Sequence, residues 1–157
     1  MGITEKAHRL RDTVAWQGDY GIWHQYTLGR AGERFFRAIM ENRRLMASRC
    51  GNCGSAYLPP KLYCPDCFEE LDEWVEVPPV GSIRSFTVLH RDLEDRPLEE
   101  PLVVAIITFP GIRGGLVHRL EGVTPAGVKE GLAVVPVFRP KPEGGPNDIL
   151  HFQPASR

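Results

Sequence analysis

Three features predict a mainly β protein: an N-terminal helix, then a rubredoxin-like four-cysteine ribbon, then a five-stranded barrel of OB type. All four cysteines fall in two Cys-x2-Cys pairs, Cys50/Cys53 and Cys64/Cys67. An apolar stripe at helical spacing lies just before them. After Trp74 the pattern changes to short apolar runs broken by Gly and Pro, which is the pattern of strands. The chain has 157 residues, enough for one ordinary domain or two small ones. The expected units are an N-terminal segment and helix at 1–45, a ribbon at 46–73 and a barrel at 74–157.

The N-terminal residues are the hardest to read. Lys6 to Val14 has the length of a short helix with a thin apolar face. Trp16, Tyr20, Trp23 and Tyr26 follow without a clean period, and a segment so aromatic packs on a surface, this protein's own or a partner's. Arg30 to Arg44 reads as a helix in which Phe35, Phe36, Ile39 and Met40 form one stripe. Glu33 with Arg37, and Glu41 with Arg37 and Arg44, offer ion pairs on its polar side. The stripe covers either the ribbon and the next domain or a partner subunit.

A Cys-x2-Cys loop turns two sulfurs into one concavity, and two such loops facing each other make a tetrahedral four-sulfur cage suited to structural zinc. Gly54 after the first pair tolerates positive φ, and Pro65 stiffens the second. The ten residues from Gly54 to Tyr63 have the length of a short hairpin with Pro59-Pro60 near its tip. The chain opens Met-Gly-Ile-Thr-Glu-Lys, with no apolar signal region, which argues against a secreted disulfide framework and for a reducing cytoplasm. A thioredoxin-like pair would need a single Cys-x-x-Cys at a helix start. The spacing also admits iron of rubredoxin type, but Phe68 stands where such loops usually repeat glycine. The expectation is one structural zinc per chain on Cys50, Cys53, Cys64 and Cys67.

In Val80 to His90, Phe86 and Val88 share one face of a strand, and Ile83 falls on the other unless a bulge intervenes. Arg91 to Glu100 reads as a solvated loop. Leu102 to Phe109 is nearly continuous in apolar residues and fits a strand buried on both faces. Gly115 to Leu120 follows a Gly-Ile-Arg-Gly turn as the other arm of a hairpin. Thr124-Pro125 starts a helix that Gly131 stops. Leu132 to Phe138 is a fourth strand, with Pro136 marking an edge or bulge. Lys141 to Asn147 is a loop, and Ile149 to Phe152 is the last strand. Five strands with a helix between the third and fourth match an OB barrel.

The formal net charge is −1, from 19 Lys+Arg against 20 Asp+Glu. That balance argues against nucleic acid as the main partner, because phosphate binding needs clustered cations. No apolar run approaches the ~20 residues that span a membrane. The five histidines, His8, His24, His90, His118 and His151, are scattered, and three lie in strands. There is no Gly-x-Ser-x-Gly elbow and no Walker-type loop, and the cage takes every thiolate. The residues thus carry no catalytic constellation.

In this order, the parts resemble the acyl-CoA-associated zinc-ribbon/OB-fold family of the domain of unknown function 35 type. The matching residues are Arg49-Cys50-Gly-Asn-Cys53-Gly54, Pro59-Pro60-Lys61, Cys64-Pro65-Asp-Cys67, Gly81-Ser-Ile-Arg-Ser-Phe-Thr87, Val128-Lys-Glu-Gly131 and Phe138-Arg139, within about residues 30–154. The long aromatic N-terminal segment departs from that pattern. The resemblance implies a non-catalytic accessory subunit that docks on a thiolase-superfamily enzyme (thiolase, aldolase or acyltransferase) and helps form its CoA or acyl-CoA site. Candidates for the CoA phosphates are Lys61, Arg84 and Arg113, cations near the hairpin tip or strand turns. Candidates for docking are Trp16, Trp23, Phe35, Phe36, Ile39 and Met40. Two other readings, a nucleic-acid-binding ribbon/OB module and a rubredoxin-like electron carrier, use the same parts.

Overall fold

A computed structural model describes residue 18 and residues 26–155. The Lys6–Val14 helix, Trp16, Tyr20 and Trp23 lie outside the described residues. The chain runs α1 (Gly29–Asn42), β1 (Met46–Arg49), β2 (Ala56–Leu58), β3 (Glu73–Glu76), β4 (Gly81–Arg91), β5 (Pro97–Thr108), β6 (Ile112–Gly114), β7 (Leu116–Leu120), β8 (Ala133–Phe138) and β9 (Ile149–Pro154). One sheet has the order β3-β1-β2-β6, and β4-β5-β7-β9-β8 close into the expected barrel. No described helix is long and apolar enough to cross a membrane.

The helix stripe divides. Phe35 and Ile39 are buried and join Ala47, Leu58, Ile83, Ile107 and Phe152 in one continuous core. This corrects their assignment to docking: their apolar surface is spent inside the chain, between ribbon and barrel. Phe36 is half-buried against the same core. Met40 is 41% exposed, and its sulfur lies beside the Gly144 loop. Glu33 and Arg37 form the expected pair, whereas Arg44 reaches Glu76 on β3. Arg34 lies over the Trp74 ring at 4.7 Å. The helix is thereby fastened along the ribbon sheet.

The Gly54–Tyr63 hairpin does not form. β2 pairs antiparallel with β1 across the first cysteine pair, and parallel with β6 on its other side. Pro59 and Pro60 end β2 because they have no N–H to donate. The Gly-Ile-Arg-Gly stretch therefore supplies a ribbon strand, β6, where a simple turn was expected. Gly115 N–H donates to Leu58 O at 2.8 Å. A Cβ on Gly114, whose φ is +89°, would lie 2.2 Å from Leu58 O, and one on Gly115 would lie 2.4 Å from Ile107 O. Two consecutive glycines are what let ribbon and barrel backbones touch.

The barrel differs from expectation in three places. A bulge between Ile83 and Ser85 puts Ile83, Phe86 and Val88 opposite Ile107, Ala105 and Val103, all on one face. β5 begins at Pro97, so the solvated loop shortens to a turn in which Asp92 Oδ1 accepts the N–H groups of Glu94 and Arg96. The 124–130 helix is a single turn, with Gly127 and Val128 N–H returning to Thr124 O. Seven residues carrying Gly127 and closed by Gly131 do not offset the cost of helix nucleation. The 141–147 loop is held by Asp148, which is 1% exposed. Its carboxylate accepts the N–H groups of Glu143, Gly144 and Gly145 at 2.8, 2.7 and 3.1 Å.

Two outcomes follow. Gly114→Ala forces Cβ into Leu58 O at positive φ and should cost at least about 2 kcal/mol, read as a fall in melting temperature as the β2 and β6 backbones are pushed apart. Burial raises the Asp148 pKa, but the three backbone donors outweigh it and hold the group below its usual value. A depressed carboxylate contributes stability above its unfolded pKa and loses it as pH falls below about 4. Asp148→Asn should melt lower at pH 7 and show a flatter loss of stability below pH 4 in acid titration.

Candidate metal centre

Each cysteine pair sits on a turn of the same backbone pattern. Cys50 N–H donates to Ser55 O while Cys50 O accepts from Gly54; Cys64 N–H donates to Glu69 O while Cys64 O accepts from Phe68. Gly54 has φ +73° and Phe68 has φ +60°. Phe68 thus occupies the left-handed position that glycine fills in the first turn, and the two loops are equivalent in shape despite the different residue.

The four thiols are free, and their sulfurs all lie within 4.8 Å of one another. Cys53 Sγ and Cys64 Sγ are 3.7 Å apart. A tetrahedral centre with metal–sulfur bonds near 2.3 Å has sulfur–sulfur edges of about 3.8 Å. The set fits a metal of zinc type on Cys50, Cys53, Cys64 and Cys67. Cys50 and Cys64 are fully buried, Cys67 is half-buried and Cys53 is exposed.

The chemistry of the donors agrees. A hydrogen bond with the Tyr57 hydroxyl brings the Cys64 thiol down to about 6, and the hydrogen bond with Cys53 pushes Cys67 up to about 12. Four thiols this close cannot all ionise by themselves. A divalent cation removes the conflict, because a coordinating thiol is deprotonated outright.

Sequence reasoning missed the residues behind the cage. Tyr57 is 5% exposed; its hydroxyl lies 3.5 Å from Cys64 Sγ and 3.1 Å from Asp66 Oδ2, so its single proton is shared between the two acceptors. Asp66, inside the second cysteine pair, in turn accepts from Arg113 on β6. The one available signal was an acid within the Cys64-Pro-Asp-Cys67 turn. Arg113, expected near a CoA phosphate, is thus engaged in an ion pair with the ribbon. Lys61 is exposed, with Nζ 5.6 Å from the centre of the Tyr57 ring. Arg84 is exposed at the β4 bulge, and among the described residues no contact joins it to the other two. His118 packs on Phe152 and His151 lies 3.2 Å from Glu121. An apolar groove of about 350 Å³ runs between α1 and the ribbon, lined by Leu28, Phe35, Phe36, Pro59, Pro60 and Leu116 among others.

Tyr57→Phe removes the hydroxyl shared by Cys64 and Asp66 without changing the cage. Loss of such an outer-shell partner typically weakens metal binding 10–100-fold. Zinc transfer to a chromogenic chelator should be about tenfold faster than in the wild-type protein.

Comparison with known proteins agrees with this architecture. Residues 40–72 match the family described as ChsH2, rubredoxin-like zinc ribbon domain, and residues 74–139 match ChsH2, C-terminal OB-fold domain. A DUF35 domain-containing scaffold protein of Methanocaldococcus jannaschii is 30% identical over 121 residues, 76% of this chain and 84% of that one. A probable enoyl-CoA hydratase alpha subunit of Thermomonospora curvata is 32% identical over 68% of this chain, which spans only 36% of that protein. A DUF35-family crystal structure from Sulfolobus solfataricus is similar at TM-score 0.60 with 32% identity, covering 69% of this chain and 78% of that one. A structure described as Ltp2-ChsH2(DUF35) aldolase gives TM-score 0.63 and 30% identity, covering 84% of this chain and 100% of that one. With its ribbon, its barrel and these relatives in agreement, the chain belongs to the DUF35 zinc-ribbon/OB-fold family.

Proposed function

We propose that this chain is a non-catalytic accessory subunit that docks on a thiolase-superfamily enzyme (thiolase, aldolase or acyltransferase) and helps form its CoA or acyl-CoA site, with one structural zinc per chain. The observation that carries this reading is the likeness, over the whole of the matched chain, to the DUF35 component of an aldolase structure. The scaffold relative and the enoyl-CoA hydratase subunit point the same way, toward a binding part within a larger acyl-CoA enzyme. A closed cysteine cage leaves the metal no open position for substrate, so its task is folding. Four free thiols suit a reducing compartment such as the cytoplasm.

The groove between α1 and Pro59-Pro60 supports the ligand part of the proposal. Its size and apolar lining suit a pantetheine arm or acyl chain. Lys61 follows the groove wall directly in sequence and offers a cation for a CoA phosphate, with Arg84 as a second. Arg113 serves the ribbon, through Asp66, before any phosphate.

Co-expression of the full chain with a thiolase-superfamily subunit encoded beside it should give a stable complex in gel filtration. That complex should bind CoA by calorimetry, and Lys61→Ala should weaken the binding several-fold without loss of the complex. A chain that stays alone and ignores CoA, or that binds single-stranded DNA instead, refutes the proposal.

A further inference from the structure

β5 is apolar on both faces, and the described residues cover one of them. Val103, Ala105 and Ile107 are buried toward the core, while the alternate residues Leu102, Val104 and Ile106 face outward. The register extends that outer strip across three strands. Leu89 on β4 stands opposite Leu102, and Val117 on β7 stands opposite Ile106. Val117 is 68% exposed, and Ile106 and Leu89 are each 40% exposed. Leu89, Leu102, Val104, Ile106 and Val117 form a strip rather than the scattered single residues of an ordinary surface. Thr87 and Arg119 flank it opposite Val104, and Arg119 is already held by Glu121 and Leu150 O.

The charges at one end of the strip indicate what covers it. Between Arg91 and Glu100 both arginines are already paired, Arg91 with Asp95 and Arg96 with Asp92 and Glu94. The neighbouring Glu99 and Glu100 make no ion pair among the described residues. The same internal pairs staple the 92–96 turn, so the arm is ordered before anything binds, which lowers the entropic cost of docking. A second copy of this chain would bring the same unpaired carboxylates to the strip. A surface bearing lysine or arginine around an apolar centre satisfies both features.

We infer that the enzyme subunit seats on the outer face of β4, β5 and β7, with an apolar centre over Ile106 and Val117 and a basic rim opposite Glu99 and Glu100. This rests on the accessory-subunit reading and adds to it the docking surface. It moves the main contact from the helix, whose Phe35 and Ile39 are buried in the chain's own core, to the barrel.

The probe is the thiolase-superfamily subunit recovered in stoichiometric complex with the full wild-type chain, with binding measured by calorimetry and gel filtration. Val117→Glu changes an exposed side chain, and its folding is checked by bound zinc and melting temperature. It should weaken the complex tenfold or more. The double variant Glu99→Lys/Glu100→Lys, which touches no core residue, should weaken it similarly, and wild-type affinity should fall as salt rises. Met40→Glu on the helix should leave affinity unchanged. Folded, zinc-loaded Val117→Glu and Glu99→Lys/Glu100→Lys that bind as well as wild type overturn the inference while the accessory role stands. A wild-type dimer that Val117→Glu splits, with enzyme binding intact, overturns it in favour of a second copy. A wild-type chain that forms no enzyme complex defeats the accessory role and this inference together.

Discussion

The approach of the β2 backbone to Gly114 and Gly115 is the constraint on which the rest of the structure depends. β2 lies between β1, which leads into the first cysteine turn, and β6, which belongs to the barrel's own connection between β5 and β7. Leu58 O meets Gly115 N–H, and a side chain on either glycine would meet a backbone carbonyl. A ribbon of this size cannot bury a core of its own. Its metal orders the turns, and its apolar residues then join the barrel's core through Ala47, Ala56 and Leu58. The Tyr57–Asp66–Arg113 chain repeats the connection in polar form, from a metal ligand to the strand next to the glycines.

What was legible in the sequence was what is local. The cysteine spacing defines the cage because each pair closes within one turn, and the periods of 86–88, 102–109 and 132–138 find their strands. Phe35 and Ile39 were legible as a helix face, but periodicity names a face without naming what covers it. Phe68 reads as a break in the glycine pattern, yet its backbone adopts φ +60° and reproduces the Gly54 turn; residue type alone understates the equivalence of the two loops. The 124–130 helix has correct start and stop signals and too few residues between them to hold.

What was not legible depends on residues distant in sequence. Nothing local in Gly-Ile-Arg-Gly distinguishes a hairpin turn from a strand whose partner lies more than fifty positions earlier. Arg113 looks like a free cation because its counter-ion, Asp66, is in the other module. Ile83 depends on a bulge that only the β4–β5 register reveals. The same register decides the fate of the β5 run: the residues are apolar throughout, but the barrel uses alternate ones.

These links place the metal upstream of the barrel's outer surface. The cage orders the turn that carries Asp66 and the strand that carries Tyr57 and Leu58. Those residues hold β6 by an ion pair and a parallel ladder, and β6 is joined to β7 through Gly115 alone. β7 in turn pairs with β5 along five residues, from Val103↔Leu120 to Ile107↔Leu116, and so sets Val117 beside Ile106. Interiors packed by touching backbones transmit displacement rather than absorb it. A chain stripped of metal therefore stands to lose more than its ribbon: the strand register behind the outer strip relaxes with it. That dependence gives a closed, chemically inert metal site a reason to sit in a protein whose proposed work is to bind.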